Sequence, residues 1–97
     1  MISLNFNFSE FIDETKNKDK NMILSLAESE VRQAEKNAEI KGYGHDYVEA
    51  LNGFIYFLRY HQKPYGIKEG HFKMFRIVCE NLVAKKQISS DILTMFG

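Results

Sequence analysis

His45, Asp46 and Glu49 form the densest set of metal-capable side chains in the sequence, and His45 and Glu49 stand one helical turn apart. A metal ion needs three or four such ligands converging on one point, and the H-E-x-x-H arrangement is absent. A further ligand would have to come from His61 or His71, and no spacing ties either to the first three. The set reads more simply as the acidic start of a helix, where carboxylates complement the positive end of the dipole, with a surface histidine beside it. No metal and no cofactor is expected.

Nucleophilic chemistry would need Cys79 and a base. His71 is eight residues away on the same expected helix, which separates the two by roughly 12 Å along its axis. That is far beyond a hydrogen bond, so Cys79 reads as an inert core thiol on an apolar stripe. A lone cysteine makes no internal disulfide, and both facts suit a reducing cytoplasm. The glycines at 42, 44, 53, 66, 70 and 97 fit no phosphate-binding loop. Gly53, between Asn52 and Phe54, predicts a close helix crossing against an alanine-rich neighbour. No catalytic set converges, and the chain is not expected to be an enzyme.

The aromatic run Phe54, Tyr56, Phe57, Tyr60 and Tyr65 is interleaved with Arg59, His61 and Lys63. Aromatic platforms with basic grooves are how single-stranded nucleic acids are held. Here the rings repeat at helical spacing, which core packing already explains. Tyr56, Tyr60 and Tyr65 are the exposed contact group expected for an interaction surface, because tyrosine tolerates both water and burial. Arg59 and Lys63 would supply its polar rim.

An all-α fold must position these residues. A first helix is expected from Asn7 to about Asn17, with Asn7 as cap, Glu10 in the capping-box position, a Phe6–Phe11 staple, and a stripe of Phe8, Phe11 and Ile12. Residues 1–6 alternate apolar and polar and read as an extended arm. The second helix runs from about Asp19, its cap, to Lys41, with Gly42 at the stop. Its stripe is Ile23, Ala27, Val31, Ala34 and Ala38, widened by Met22 and Leu26, and Glu28 pairs with Arg32 on the far side.

The third helix, about Asp46 to Gln62, is apolar nearly all round: Tyr47, Val48, Leu51, Phe54, Ile55 and Leu58 form one stripe. Lys63-Pro64-Tyr65-Gly66 suits a type I turn. The fourth helix runs from about Glu69 to Lys86 through Phe72, Phe75, Val78, Cys79, Leu82 and Val83. Ser89 or Ser90 then caps a short last helix. The architecture is a small bundle of three main helices plus short N- and C-terminal helices, one domain over residues 1–97.

Composition agrees. The chain has 13 basic and 13 acidic residues, 8 Phe and 5 Tyr, too aromatic and too balanced for disorder or for a main task of gripping phosphate backbones. No stretch approaches the roughly 20 apolar residues that a membrane span requires. The opening Met1-Ile2-Ser3-Leu4 has neither a basic start nor a long apolar run, so no signal peptide is expected. Charge is polarised: residues 1–50 carry 10 acidic and 6 basic side chains, and residues 51–97 carry 3 and 7. Either the two halves neutralise each other internally, or the molecule has two faces suited to self-association.

The leading expectation is a small cytoplasmic helical protein without a catalytic site, acting through protein–protein contacts as a homodimer, with another protein, or both. The alternative is a small-molecule-binding or catalytic bundle with a pocket lined by Tyr47, Phe54, His61 and His71. A weaker one is a nucleic-acid binder using Arg59, Lys63, Lys68, Lys73 and Arg76. Nucleic acid and membrane are not the expected partners.

Overall fold

The computed structural model of the chain describes residues 8–41 and 45–97. Among these the fold is all-α, with five helices in chain order: α1 (Phe8–Thr15), α2 (Lys20–Lys41), α3 (His45–Tyr60), α4 (Glu69–Ala84) and a closing 3-10 helix, α5 (Ser90–Phe96). The arm expected over 1–6, the Asn7 cap, the Phe6 staple and the Gly42 stop lie outside the described residues.

Phenylalanine builds the core. Phe54 of α3 meets Phe8 and Phe11 of α1 at ring-centroid distances of 5.8 and 6.2 Å, and Phe75 of α4 at 5.3 Å. Phe57, one turn on, meets Phe72, Phe75 and Phe96 at 5.5 to 5.6 Å. Four helices are thereby joined through one set of edge-on and tilted rings, geometries that the ring quadrupole favours. The Phe8, Phe11 and Ile12 stripe of α1 is buried as its spacing predicts. On α2, Ile23, Ala27 and Ala34 are buried, and the alanines let α2 lie close along α3. Met22, expected to widen that stripe, is exposed instead.

Helix ends depart most from the sequence reading. α3 and α4 each stop two residues early, at Tyr60 and Ala84, and the chain turns left-handed at His61 (φ 55) and Lys86 (φ 61). After α4, the Lys86 amide donates to Val83 O and the Gln87 amide to Leu82 O, both at 2.9 Å. This is a Schellman closure with lysine where glycine is usual, so no glycine marks the stop. Ser89 caps α5, its Oγ accepting from the Asp91 amide at 3.3 Å.

The start of α2 is capped from the far end of the chain. The Asp19 side chain, expected as the cap, accepts from Gln87 Nε2 at 3.0 Å and not from an α2 amide, and Gln87 Oε1 accepts from the Lys20 amide at 2.8 Å in its place. Asn81 Nδ2 donates to Lys16 O at 2.9 Å, and Lys85 Nζ donates to Asn17 O. The α1–α2 turn is thus fastened to the C-terminal end of α4. No helix among the described residues is long and apolar enough to cross a membrane.

Candidate functional site

A cleft of about 560 Å³ opens between α3 and the α3–α4 connection. Glu49, Asn52, Gly53 and Tyr56 recur at i, i+3, i+4 and i+7 and so share one face of α3. Facing them are Pro64, Tyr65, Gly66, Ile67 and Lys68, with His71 from the first turns of α4. The turn sits one residue later than the sequence suggested. Ile67 N–H donates to Pro64 O at 3.4 Å, and Gly66, third of the four, has φ +76. A positive φ at that position marks a type II turn, not type I, and glycine supplies it without strain.

Gly53 explains how the turn comes so near. A Cβ built there would stand 2.8 Å from Ile67 Cδ1 and 3.5 Å from Pro64 Cγ. The close approach inferred from the sequence is real, but its partner is the Pro64–Ile67 turn and not the alanine stripe of α2.

The three tyrosines expected at the surface are there: Tyr56 is 40% exposed, Tyr60 61%, and Tyr65 projects fully at 105%. Tyr56 and Tyr60 bring their rings to 4.9 Å, and Tyr56 Oη donates to Gln62 Oε1 at 3.3 Å. Tyr56 and Tyr65 stand on the two sides of the cleft. The flanking cations are engaged within the molecule. Arg59 pairs with Glu28 of α2, which therefore does not serve Arg32 as its helical spacing implied. Lys63 Nζ lies 3.5 Å from Glu69 Oε1 and 4.9 Å above the Phe72 ring.

Lys68 and Arg76 are held in the same way, by Asp46 at 2.9 Å and by Glu80 at 3.1 Å. Four of the five cations of the nucleic-acid reading thus face carboxylates. Two of these pairs, Arg59–Glu28 and Lys68–Asp46, join the basic half of the chain to the acidic half. Asp46 and Glu49 together hold the Lys68 ammonium above its ordinary lysine range, the hydrogen bond to Asp46 being the larger cause.

The pocket expected from Tyr47, Phe54, His61 and His71 does not form. Phe54 is sealed in the aromatic core. His71 is half-buried at the cleft, its ring edge-on to Phe8 at 5.5 Å. His61 is exposed at the end of α3, with Nε2 3.4 Å from Lys20 Nζ. Tyr47 lines a separate cleft of about 450 Å³ between α1 and α2, where Glu10, Glu14, Lys18 and Glu30 gather. There Tyr47 Oη donates to Glu30 Oε2 at 2.7 Å. Burial, then Glu30, raise the phenol well above its ordinary range. Sequence reasoning missed this second cleft, because Glu30 and Tyr47 come from different helices and no local spacing links them.

Cys79 is wholly buried, and burial pushes its thiol up to about 12. At neutral pH it is not the thiolate that nucleophilic work requires. Among the described residues no group of three or more His, Cys, Asp and Glu is placed to hold a metal ion. Comparison with family models, with curated proteins and with solved structures finds no match to this chain.

Proposed function

We propose that the chain is a non-catalytic protein-interaction module of the cytoplasm whose working surface is the tyrosine face of α3 and the following turn. Tyr56, Tyr60 and Tyr65 are its contact residues, and Arg59 and Lys63 border it. The observation that carries the reading is the sorting of aromatic side chains. Phe8, Phe11, Phe54, Phe57, Phe72 and Phe75 are buried, while these three tyrosines stand in solvent, Tyr56 and Tyr65 at the cleft and Tyr60 against the Tyr56 ring. A fold that needs its tyrosines only for stability has no reason to leave them there. Tyrosine gathers at protein interfaces because it brings a large ring and a hydroxyl at little cost in side-chain entropy. The buried, reduced Cys79 supports the cytoplasmic assignment.

A homodimer through this face is the first arrangement to test. Light scattering on a sizing column, at low and high salt, should give a dimer mass for the wild type and a monomer mass for a Tyr56→Ala/Tyr60→Ala variant of unchanged stability. If those alanines cost as much stability as core substitutions and leave association intact, the tyrosines are structural and the proposal fails. A wild-type monomer in both salts removes the homodimer and leaves the face to a different protein.

A further inference from the structure

The cleft beside Tyr65 has a charge and shape that narrow what enters it. Its floor is apolar, made by Gly53 with Pro64 and Ile67 over it, and Tyr56 and Tyr65 flank it. Lys68, Glu49 and His71 are its basic and acidic lining residues. Lys68 is the cation, and Asp46, just outside the lining, holds its ammonium at 2.9 Å. Glu49 acts on the same ammonium electrostatically but makes no hydrogen bond or ion pair with it. Two carboxylates therefore act on one lysine, and Glu49 is the one that lines the cleft. The third group, His71, presents its ring edge-on to Phe8 and is half-buried.

We infer that the cleft between Tyr56 and Tyr65 receives an arginine side chain from an extended segment of a protein partner, with Glu49 as its carboxylate. A guanidinium is planar, stacks on aromatic faces and forks onto a carboxylate, which is what tyrosine walls beside Glu49 offer. Lysine gives up the stacking and the fork. An acidic segment meets Glu49 and Asp46. The volume of about 560 Å³ exceeds one side chain, so backbone on either side of the arginine lies in the cleft as well. Tyr65 stands fully in solvent at the edge of the cleft, where its ring is accessible to the occupant. This inference rests on the tyrosine face being an interaction surface, and it names the chemistry of what that surface takes.

The test is an amide-resolved NMR titration of the full chain with acetyl-Gly-Arg-Gly-amide, beside the same peptide carrying citrulline, which keeps the shape and loses the charge. Saturating shifts are expected at Gly53, Gly66, Ile67 and Lys68 with the arginine peptide. Binding is expected to be weaker by roughly two- to fivefold with citrulline, and in Glu49→Gln and Tyr65→Ala, in line with an exposed cation–aromatic contact. Both substituted residues are exposed, and an unchanged spectrum away from the cleft confirms that each variant folds. No shifts, shifts away from the cleft, or equal binding of citrulline overturns the inference. Partner capture or self-association measured on the same variants separates the two readings. If it is lost in Tyr56→Ala/Tyr60→Ala but kept in Glu49→Gln, the interaction face stands and the arginine falls. If no tyrosine substitution alters association, the face itself falls.

Discussion

Gln87 closes the start of α2 with both ends of its side-chain amide, accepting from the Lys20 backbone at 2.8 Å and donating to Asp19 Oδ1 at 3.0 Å. Helix starts are normally capped by the residue just before them, because the first amides have no partner within the helix. Here the cap comes from 67 residues downstream. Gln87→Ala is expected to lower unfolding free energy by about 1 kcal/mol, in the range of a lost cap. Urea denaturation reads this directly, and an unchanged midpoint would show that water replaces the amide without loss.

The two classes of aromatic residue should separate in stability. Phe57 is fully buried against Phe72, Phe75 and Phe96, so Phe57→Ala should cost about 3–5 kcal/mol. That is a large share of the ~5–15 kcal/mol a domain commonly has. Tyr65→Ala removes a ring wholly in solvent and should change stability by no more than about 0.5 kcal/mol. Paired urea melts of the two variants test the sorting on which the interaction reading depends.

Gly53→Ala poses a contest of two effects. Alanine gains up to about 1 kcal/mol in mid-helix. Its Cβ must displace Ile67 Cδ1, the free end of a flexible side chain, from 2.8 Å. The helix gain should prevail, leaving stability equal or slightly raised while the Ile67 methyl resonance shifts. A loss above about 1 kcal/mol would mean that the turn cannot give way.

Backbone strain supplies a prediction of opposite sign at two positions. Lys86, at φ 61, occupies a conformation that suits glycine, and Lys86→Gly should stabilise by about 0.5–1 kcal/mol. Gly66, at φ +76 with open space around it, should lose about 1 kcal/mol on substitution by alanine. Thermal melts that move both variants in the same direction would contradict the turn geometry described above.

Alkaline pH should destabilise the fold. Cys79 ionises near 9 in an unfolded chain but only at about 12 when buried, and the Tyr47 phenol is likewise raised by burial and by Glu30. The native state therefore holds protons that the unfolded state has released. Stability is full below about pH 9 and falls as pH rises from there, by up to about 1.4 kcal/mol per unit for each group. Urea midpoints at pH 8, 10 and 11 should fall, and fall less steeply in Tyr47→Phe.

Much of this was legible in the sequence where one helix turn sufficed to read it. Phe8, Phe11 and Ile12 and the α4 stripe through Leu82 follow from spacing within one element, a serine cap at 89 or 90 was readable from residue type, and the exposure of Tyr56, Tyr60 and Tyr65 followed from tyrosine's tolerance of water. What escaped was set by partners far along the chain. Glu28 turns to Arg59 and not to Arg32, four residues on, because α2 lies along α3. Tyr47 finds Glu30, and Asp19 finds Gln87. The helix stops at His61 and Lys86 were hidden for a different reason: the left-handed residue is not glycine at either. The cleft depends on the turn folding back over Gly53, which the glycine signalled without saying what approached it.

The fastening of the α1–α2 turn by Asn81, Lys85 and Gln87 also bears on the order in which the molecule can assemble. During synthesis α1 and α2 emerge long before those residues, and until then Phe8, Phe11 and Ile12 have no α4 to cover them. The α1–α2 turn cannot be clasped before Gln87 has left the ribosome, so this part of the fold waits for the end of α4 and the residues just after it. Contacts of such long sequence separation slow folding relative to a bundle closed by neighbouring helices. A nascent chain halted before residue 81 would therefore be expected to remain sensitive to protease across its first turn.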